Sequence, residues 1–416
     1  MTNATDNTPL PTPANPGPFG HKLRSQFLFP EDFTQFNHGS YGTFPKAVQD
    51  NYFAWHHRTE RDPDRWMRRD LKNCLTMIRR EIGEFINCDP DSLALVQNTT
   101  VGVNTILRSL EFLPGDRILQ LSTGFLSVYK TAQYVCDTHK DVKLIEVPIT
   151  FPMTDKEIVD AVEKTVLDHQ ALKDGSRIRL AMVDWISSVP SIVHPVKQLT
   201  DLLKSHGILV FVDGAHSIGQ VPVDLGYLDP DFYITNCHKW LFSVRGSAAL
   251  YTKKPYQNLI HPTAITGDYG NGFDAEFQWM GTNEYSSLMS IQGALAYRKQ
   301  FGEDAIINYT HNLAIEGGKT MAKILGSSVL TPHDHQVGNM VNIRLPFKDL
   351  LNPKLASPAY LMNLLMDKYN LHTPTFKHGG NMYTRVCAQI YLELSDFVRL
   401  GNVWKEIVDE INAESN

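Results

Sequence analysis

The sequence predicts an α/β fold: a large domain built on a mainly parallel seven-stranded sheet, followed by a smaller α+β C-terminal domain. Three observations carry this expectation. From about Ser92, short apolar runs alternate with amphipathic stretches, the pattern of strands covered by helices. After about Asp304 that alternation gives way to one long helical pattern and then to extended segments mixed with helices. The 416 residues also exceed the size at which a single core keeps growing, so two subdomains sharing one fold are expected.

Taken in chain order, the first 18 residues hold five prolines, Pro9, Pro11, Pro13, Pro16 and Pro18, and residues 1–20 read as a flexible arm. Residues 21–45 form an N-terminal segment, residues 46–304 the large domain and residues 305–416 the small one. Seven strands are expected at Leu93–Val96, Arg117–Leu121, Val142–Val147, Arg179–Val183, Leu209–Val212, Phe232–Thr235 and Ala248–Tyr251, each short, apolar and followed by polar residues or glycine. Val103, Ile106, Leu107 and Leu110 fall on one helical face, and Val196–His206 reads as a helix stopped by Gly207. In the last hundred residues, extended segments at Met340–Leu345 and Tyr383–Ile390 are interleaved with helices at Pro358–Lys368 and Ser395–Ile411.

Composition narrows the function. With 42% hydrophobic and 20% charged residues the chain has ample material for a core. The 39 Lys and Arg against 45 Asp and Glu give a net charge of −6, and no basic run interleaved with aromatics is present, so nucleic acid is not the expected partner. No apolar stretch reaches about 18 residues, which excludes a membrane helix. Five scattered cysteines without a CxxC pair point to a reducing compartment, and the expected location is cytoplasmic. The Asn-x-Thr triplets at Asn3, Asn98 and Asn308 would matter only in a secreted chain.

Two motifs stand at the ends of predicted strands, where open α/β sheets place their ligands. One is Val210-Phe-Val-Asp213-Gly-Ala-His216-Ser; the other is Ile234-Thr-Asn236-Cys-His238-Lys239-Trp. A buried lysine near an aspartate is commonly a structural ion pair, and Thr99-Thr100 before a helix is commonly an N-cap. Together, however, Asp-Gly-Ala-His and Asn-Cys-His-Lys-Trp resemble the pyridoxal phosphate (PLP) site of class V aminotransferase-like enzymes of fold type I. The resemblance runs from Asn37-His-Gly-Ser-Tyr-Gly42 to Arg385.

It implies PLP as cofactor, with Lys239 as the Schiff-base lysine, Asp213 against the pyridine nitrogen and His216 near the ring hydroxyl. A carboxylate beside the ring nitrogen favours its protonated form, and the protonated ring best withdraws electrons from Cα. Asn236 and His238 match phosphate-side positions. So do Thr99 and Thr100, whose helix start would supply N–H groups and hydroxyls to the phosphate. Gly281 and Thr282 match a pair that family members supply from the neighbouring subunit, implying a homodimer with shared active sites. Phe125 occupies the position that covers the cofactor face, and Ser187-Ser188 the segment approaching the ring hydroxyl. Arg385 resembles the arginine that grips a substrate carboxylate; Asn37, Ser40 and Tyr41 are expected beside the substrate, a small-molecule amino acid.

Within the family, Phe36–Gly42 and Arg61–Trp66 look most like the isopenicillin N epimerase-like branch, which includes a hercynylcysteine sulfoxide lyase and the loline-pathway cyclase. Epimerisation, elimination and carbon–carbon bond formation share the same first step, loss of the Cα proton. The lyase relatives are expected to carry tyrosine where this chain has Phe125, and a phenol donates a proton to a leaving group where phenylalanine cannot. The preferred expectation is therefore a secondary-metabolism cyclase in which a carbanion attacks an internal electrophile. C–S lysis and epimerisation are the alternatives, and a catalytically silent PLP-fold binding protein is the alternative of another class.

Three tempting patterns are set aside. Gly317-Gly-Lys319-Thr320 lacks the first glycine of a phosphate loop, position 313 being Leu. His56-His57 and His333-Asp-His335 read as exposed polar loops without a third metal ligand, so no metal site is expected. None of the cysteines falls in a loop matching that of persulfide-forming desulfurases.

Overall fold

The structure, a computed structural model, describes residues 19–356 and 358–414. The proline-rich arm expected over residues 1–20 lies outside the described residues up to position 18. Seven strands form the large sheet: β1 (Leu93–Val96), β2 (Asp116–Leu121), β3 (Lys143–Val147), β4 (Arg177–Asp184), β5 (Leu209–Asp213), β6 (Phe232–Asn236) and β7 (Ala248–Thr252). Their order is β1-β7-β6-β5-β4-β2-β3. Pairing from β3 through β6 is parallel, and β7 runs antiparallel to both β6 and β1.

The strands are apolar on both sides because helices cover both faces. Ile118, Leu180, Met182 and Phe211 face Val103, Ile106 and Leu107 of the helix Thr99–Ser109 and Val128 and Val135 of the helix Leu126–Thr138. One position on, Leu119, Ala181, Val183 and Val212 point the other way, into a core that holds Ile158, Val162, Leu199 and Leu203. Every parallel strand thereby delivers its last residue to one sheet edge, and that edge receives Asp184, Asp213 and Asn236.

A second, antiparallel sheet carries β8 (Met340–Leu345), β9 (Thr375–His378) and β10 (Asn381–Cys387), ordered β8-β10-β9. The helix Glu303–Ile324 lies against it and against the helix Leu394–Glu414. The Gly-Gly-Lys-Thr sequence belongs to this packing: a Cβ on Gly317 would stand 2.3 Å from the Phe397 ring, and one on Gly318 2.5 Å from Val341. Two expectations need correction. His56-His57 lies within the helix Lys46–Arg61 rather than in a loop, and the last strand ends at Cys387 rather than Ile390, the chain turning away there. No described helix is long and apolar enough to cross a membrane.

Candidate active site

β5 ends on Asp213 and β6 on Asn236, and the turns after them carry His216, His238 and Lys239 to the same edge. Lys239 Nζ stands 3.1 Å from His216 Nε2. On its other side, His216 Nδ1 accepts the Trp240 indole N–H at 3.2 Å. An indole only donates, so a neutral His216 carries its proton on Nε2, toward the lysine. Burial first, then the Lys239 and Arg385 charges, holds His216 well below the usual imidazole range, which keeps it neutral. Burial likewise lowers Lys239 to about 8, against the raising influence of Asp213.

Asp213 is 7% exposed. Its Oδ1 accepts the Ala215 N–H at 2.9 Å. No lysine, arginine or histidine stands within ion-pair distance of it among the described residues; burial raises its pKa, against the Ala215 N–H and then the Lys239 charge. A buried carboxylate with no cation in contact is one that a protonated ring nitrogen would complete.

The helix Thr99–Ser109 opens nearby. Its N-cap is Asn98 rather than a threonine, the Asn98 side-chain Oδ1 accepting the Val101 N–H at 2.9 Å. Asn236 Oδ1 accepts the Thr99 N–H at 2.9 Å, which locks the end of β6 to the helix start. Thr99 Oγ1 is buried without a partner, and Thr100 is exposed beside it. His238 Nδ1 bonds the Ser247 carbonyl at 3.1 Å; burial and then the Lys239 charge lower its pKa to about 4. A helix N-terminus with an unpartnered hydroxyl fits a phosphate.

Arg385 on β10 is 2% exposed and fully caged by neutral groups. Nη1 donates to Ser188 O at 3.0 Å and Ser188 Oγ at 3.1 Å. Nη2 donates to Asn37 Oδ1 at 2.7 Å and Ser40 Oγ at 2.9 Å. Nε has no partner. Ser187, by contrast, turns inward to Pro190 O.

The expected residues are thus not all in one place. Lys239, Asp213, His216, Asn236, His238 and Thr99 share the sheet edge, and Arg385, Asn37, Ser40 and Ser188 form a second cluster. Tyr41 is 72% exposed. Phe125 caps the helix Leu126–Thr138 and lines a cavity that Ser188 also lines. Gly281 and the exposed Thr282 make no described contact with Thr99. The residues flanking them, Met280 and Asn283, line a second cavity with Gln97, the residue before Asn98.

Two residues escape sequence reasoning. Trp240 sets the His216 tautomer, and the buried His38 bonds the Lys239 carbonyl through Nε2 at 2.8 Å and Tyr391 Oη through Nδ1 at 3.0 Å. Gly42 has φ +64°, and a Cβ there would lie 1.7 Å from His238 O, so this segment rests directly on the lysine loop.

PLP needs an amine, a carboxylate for its ring nitrogen and an anion site for its phosphate. Lys239, the unpaired Asp213 and the open Thr99 hydroxyl at a helix start provide all three. The aminotransferase class-V family model matches residues 46–357. The chain is 30% identical to the L-cysteine desulfhydrase-like protein lolT1 of Epichloe uncinata over 95% of this chain and 97% of that one. It is 27% identical to the hercynylcysteine sulfoxide lyase of Schizosaccharomyces pombe, over 93% and 97% respectively. Among solved structures, a mutant of C-DES with glycine covalently linked to its PLP cofactor superposes with a TM-score of 0.78 at 18% identity, over 92% of this chain and 99% of that one. The chain therefore belongs to the aminotransferase class-V family and is a PLP-dependent enzyme of fold type I.

Proposed function

We propose that the enzyme removes the Cα proton of an amino acid held by Arg385 and directs the resulting carbanion into ring closure by carbon–carbon bond formation. The observation that supports the first half is Arg385 itself: a buried guanidinium with only neutral partners is a site for an anion, and its fork matches a carboxylate. Asn37, Ser40 and Ser188 hold that fork in place.

When bound, PLP supplies a conjugated ring that delocalises the negative charge developing at Cα. Asp213, buried and unpaired, holds the ring nitrogen's proton. His216, fixed as an Nε2–H donor by Trp240, presents a hydrogen bond toward the ring hydroxyl. Thr99, Thr100, Asn236 and His238 hold the phosphate. Lys239 Nζ would hold the cofactor and, when free, would accept the Cα proton; a pKa of about 8 suits both tasks near neutrality.

Ring closure is supported by Phe125, which offers the cavity a bare ring and no proton donor. Elimination of a sulfur leaving group is the second reading. It is favoured by Tyr129, which lines the same cavity one helical turn beyond Phe125, and by the name of the sulfoxide lyase relative. We further propose a homodimer in which Thr282 completes the partner's phosphate site, and a cytoplasmic location in keeping with five free cysteines.

Incubation with Cβ- and Cγ-substituted amino acids in deuterated water tests the reading. Deuterium at Cα of recovered substrate, abolished in Lys239→Ala, supports proton removal; a cyclic product that has lost the Cα proton and the substituent as its leaving group supports closure. Efficient release of pyruvate and ammonia from a cysteine sulfoxide would instead establish elimination.

A further inference from the structure

Resting on the reading of Arg385 as the carboxylate clamp, a second specificity element stands beside it. Gln120 on β2 and Glu146 on β3 are register partners in a parallel pair, so their side chains leave the sheet on the same face. Both line a cavity of about 310 Å³ with Thr123, Phe125, Tyr129, Ser188 and Val189. Ser188 joins this cavity to the clamp, since it also accepts from Arg385 Nη1.

Three acceptors in this cavity are without a partner. Gln120 is 3% exposed, and its Oε1 makes no hydrogen bond; Thr123 is 6% exposed, and the same holds for its Oγ1. A buried amide oxygen without a donor costs free energy unless a ligand or water supplies one. The Glu146 carboxylate, unlike these two, is exposed to solvent; it enters no ion pair or hydrogen bond among the described residues, and no lysine or arginine lines the cavity. Lys130, which follows Tyr129, is engaged with Gln133 at 2.8 Å. Phe125 and Val189 are 48% and 40% exposed and give the cavity apolar walls.

We propose that this cavity is the side-chain subsite and that it selects amino acids whose side chain ends in a cationic amine. Arg385 takes the α-carboxylate, Phe125 and Val189 cover the methylene stem, and Glu146 and Gln120 Oε1 receive the ammonium protons. The volume suits a chain of a few methylene groups.

Calorimetric titration of the holoenzyme with L-ornithine and L-norleucine tests this, the two differing by an ammonium against a methyl. A charge-assisted contact predicts ornithine to bind at least about tenfold more tightly. In Glu146→Gln the ratio should fall to within about twofold, and in Glu146→Lys the order should reverse in favour of L-glutamate over ornithine. Equal affinities in the unaltered enzyme, or a preference that survives Glu146→Gln, would overturn the subsite. Because the readout is binding, it stands apart from the proposed reaction: failure of every amino acid to exchange its Cα proton sinks that reaction, while the ornithine-to-norleucine ratio still decides the subsite.

Discussion

At Asp184 and Asp213 two carboxyl groups sit side by side in register at the ends of β4 and β5. Burial and then the Asp213 charge push Asp184 well above the carboxylate range, so it is held as the neutral acid. Asp184→Asn, which keeps shape and neutrality, should leave turnover within about threefold. Asp213→Asn should lower Cα exchange about a thousandfold, as loss of roughly 4 kcal/mol predicts; comparable losses in both variants would merge the two roles. Lys239 makes a second prediction. Below its pKa of about 8 the amine is protonated and cannot attach the cofactor, so PLP uptake by apoprotein should accelerate about tenfold per pH unit and level off above 8. Lys239, Asp213 and His216 were legible because their spacing forms a motif. Trp240 and His38 were not: their importance lies in contacts across 24 and 201 positions, which no local pattern encodes.

Strands were the legible elements, since burial on both faces writes them as continuous apolar runs: the expected Leu93–Val96 coincides with the observed strand, and the other six differ by one or two residues at their ends. The helix Lys46–Arg61 is absent from the sequence reading because its buried side is Val48, Asn51, Trp55 and Thr59, half of it polar, leaving little apolar period to detect. β9 was missed for a related reason: Thr-Phe-Lys-His at a sheet edge is half-exposed and carries one apolar residue. At this scale the cap of the helix Thr99–Ser109, proposed to hold the phosphate, is testable. Asn98→Ala removes the acceptor for Val101 N–H and should cost about 1 kcal/mol in denaturant unfolding, with weaker PLP binding, whereas Asn98→Ser should recover most of both.

For the whole molecule, the large sheet and its helices position the cofactor groups, while Gly281-Thr282 faces outward near a cavity that Gln97 lines. The proposed homodimer makes a specific prediction. Mixing Lys239→Ala with Thr282→Ala chains gives hybrid dimers in which one site combines an intact lysine with an intact partner threonine, so PLP affinity and turnover should return to wild-type values in that site. No recovery would place Thr282 within its own subunit. The family was readable from sequence because motif order follows strand order.

Arg385 joins residues 348 positions apart, gathering Asn37 from near one end of the chain and itself from near the other, with Ser188 between. An anion held in this proposed clamp would therefore act as a removable staple. It ties the N-terminal segment and the small sheet to the large one, and it contributes to global stability in proportion to the logarithm of its concentration above its dissociation constant. Resistance of the segment around Asn37 to proteolysis should then rise with substrate concentration in the wild-type enzyme, and lose that dependence in Arg385→Ala.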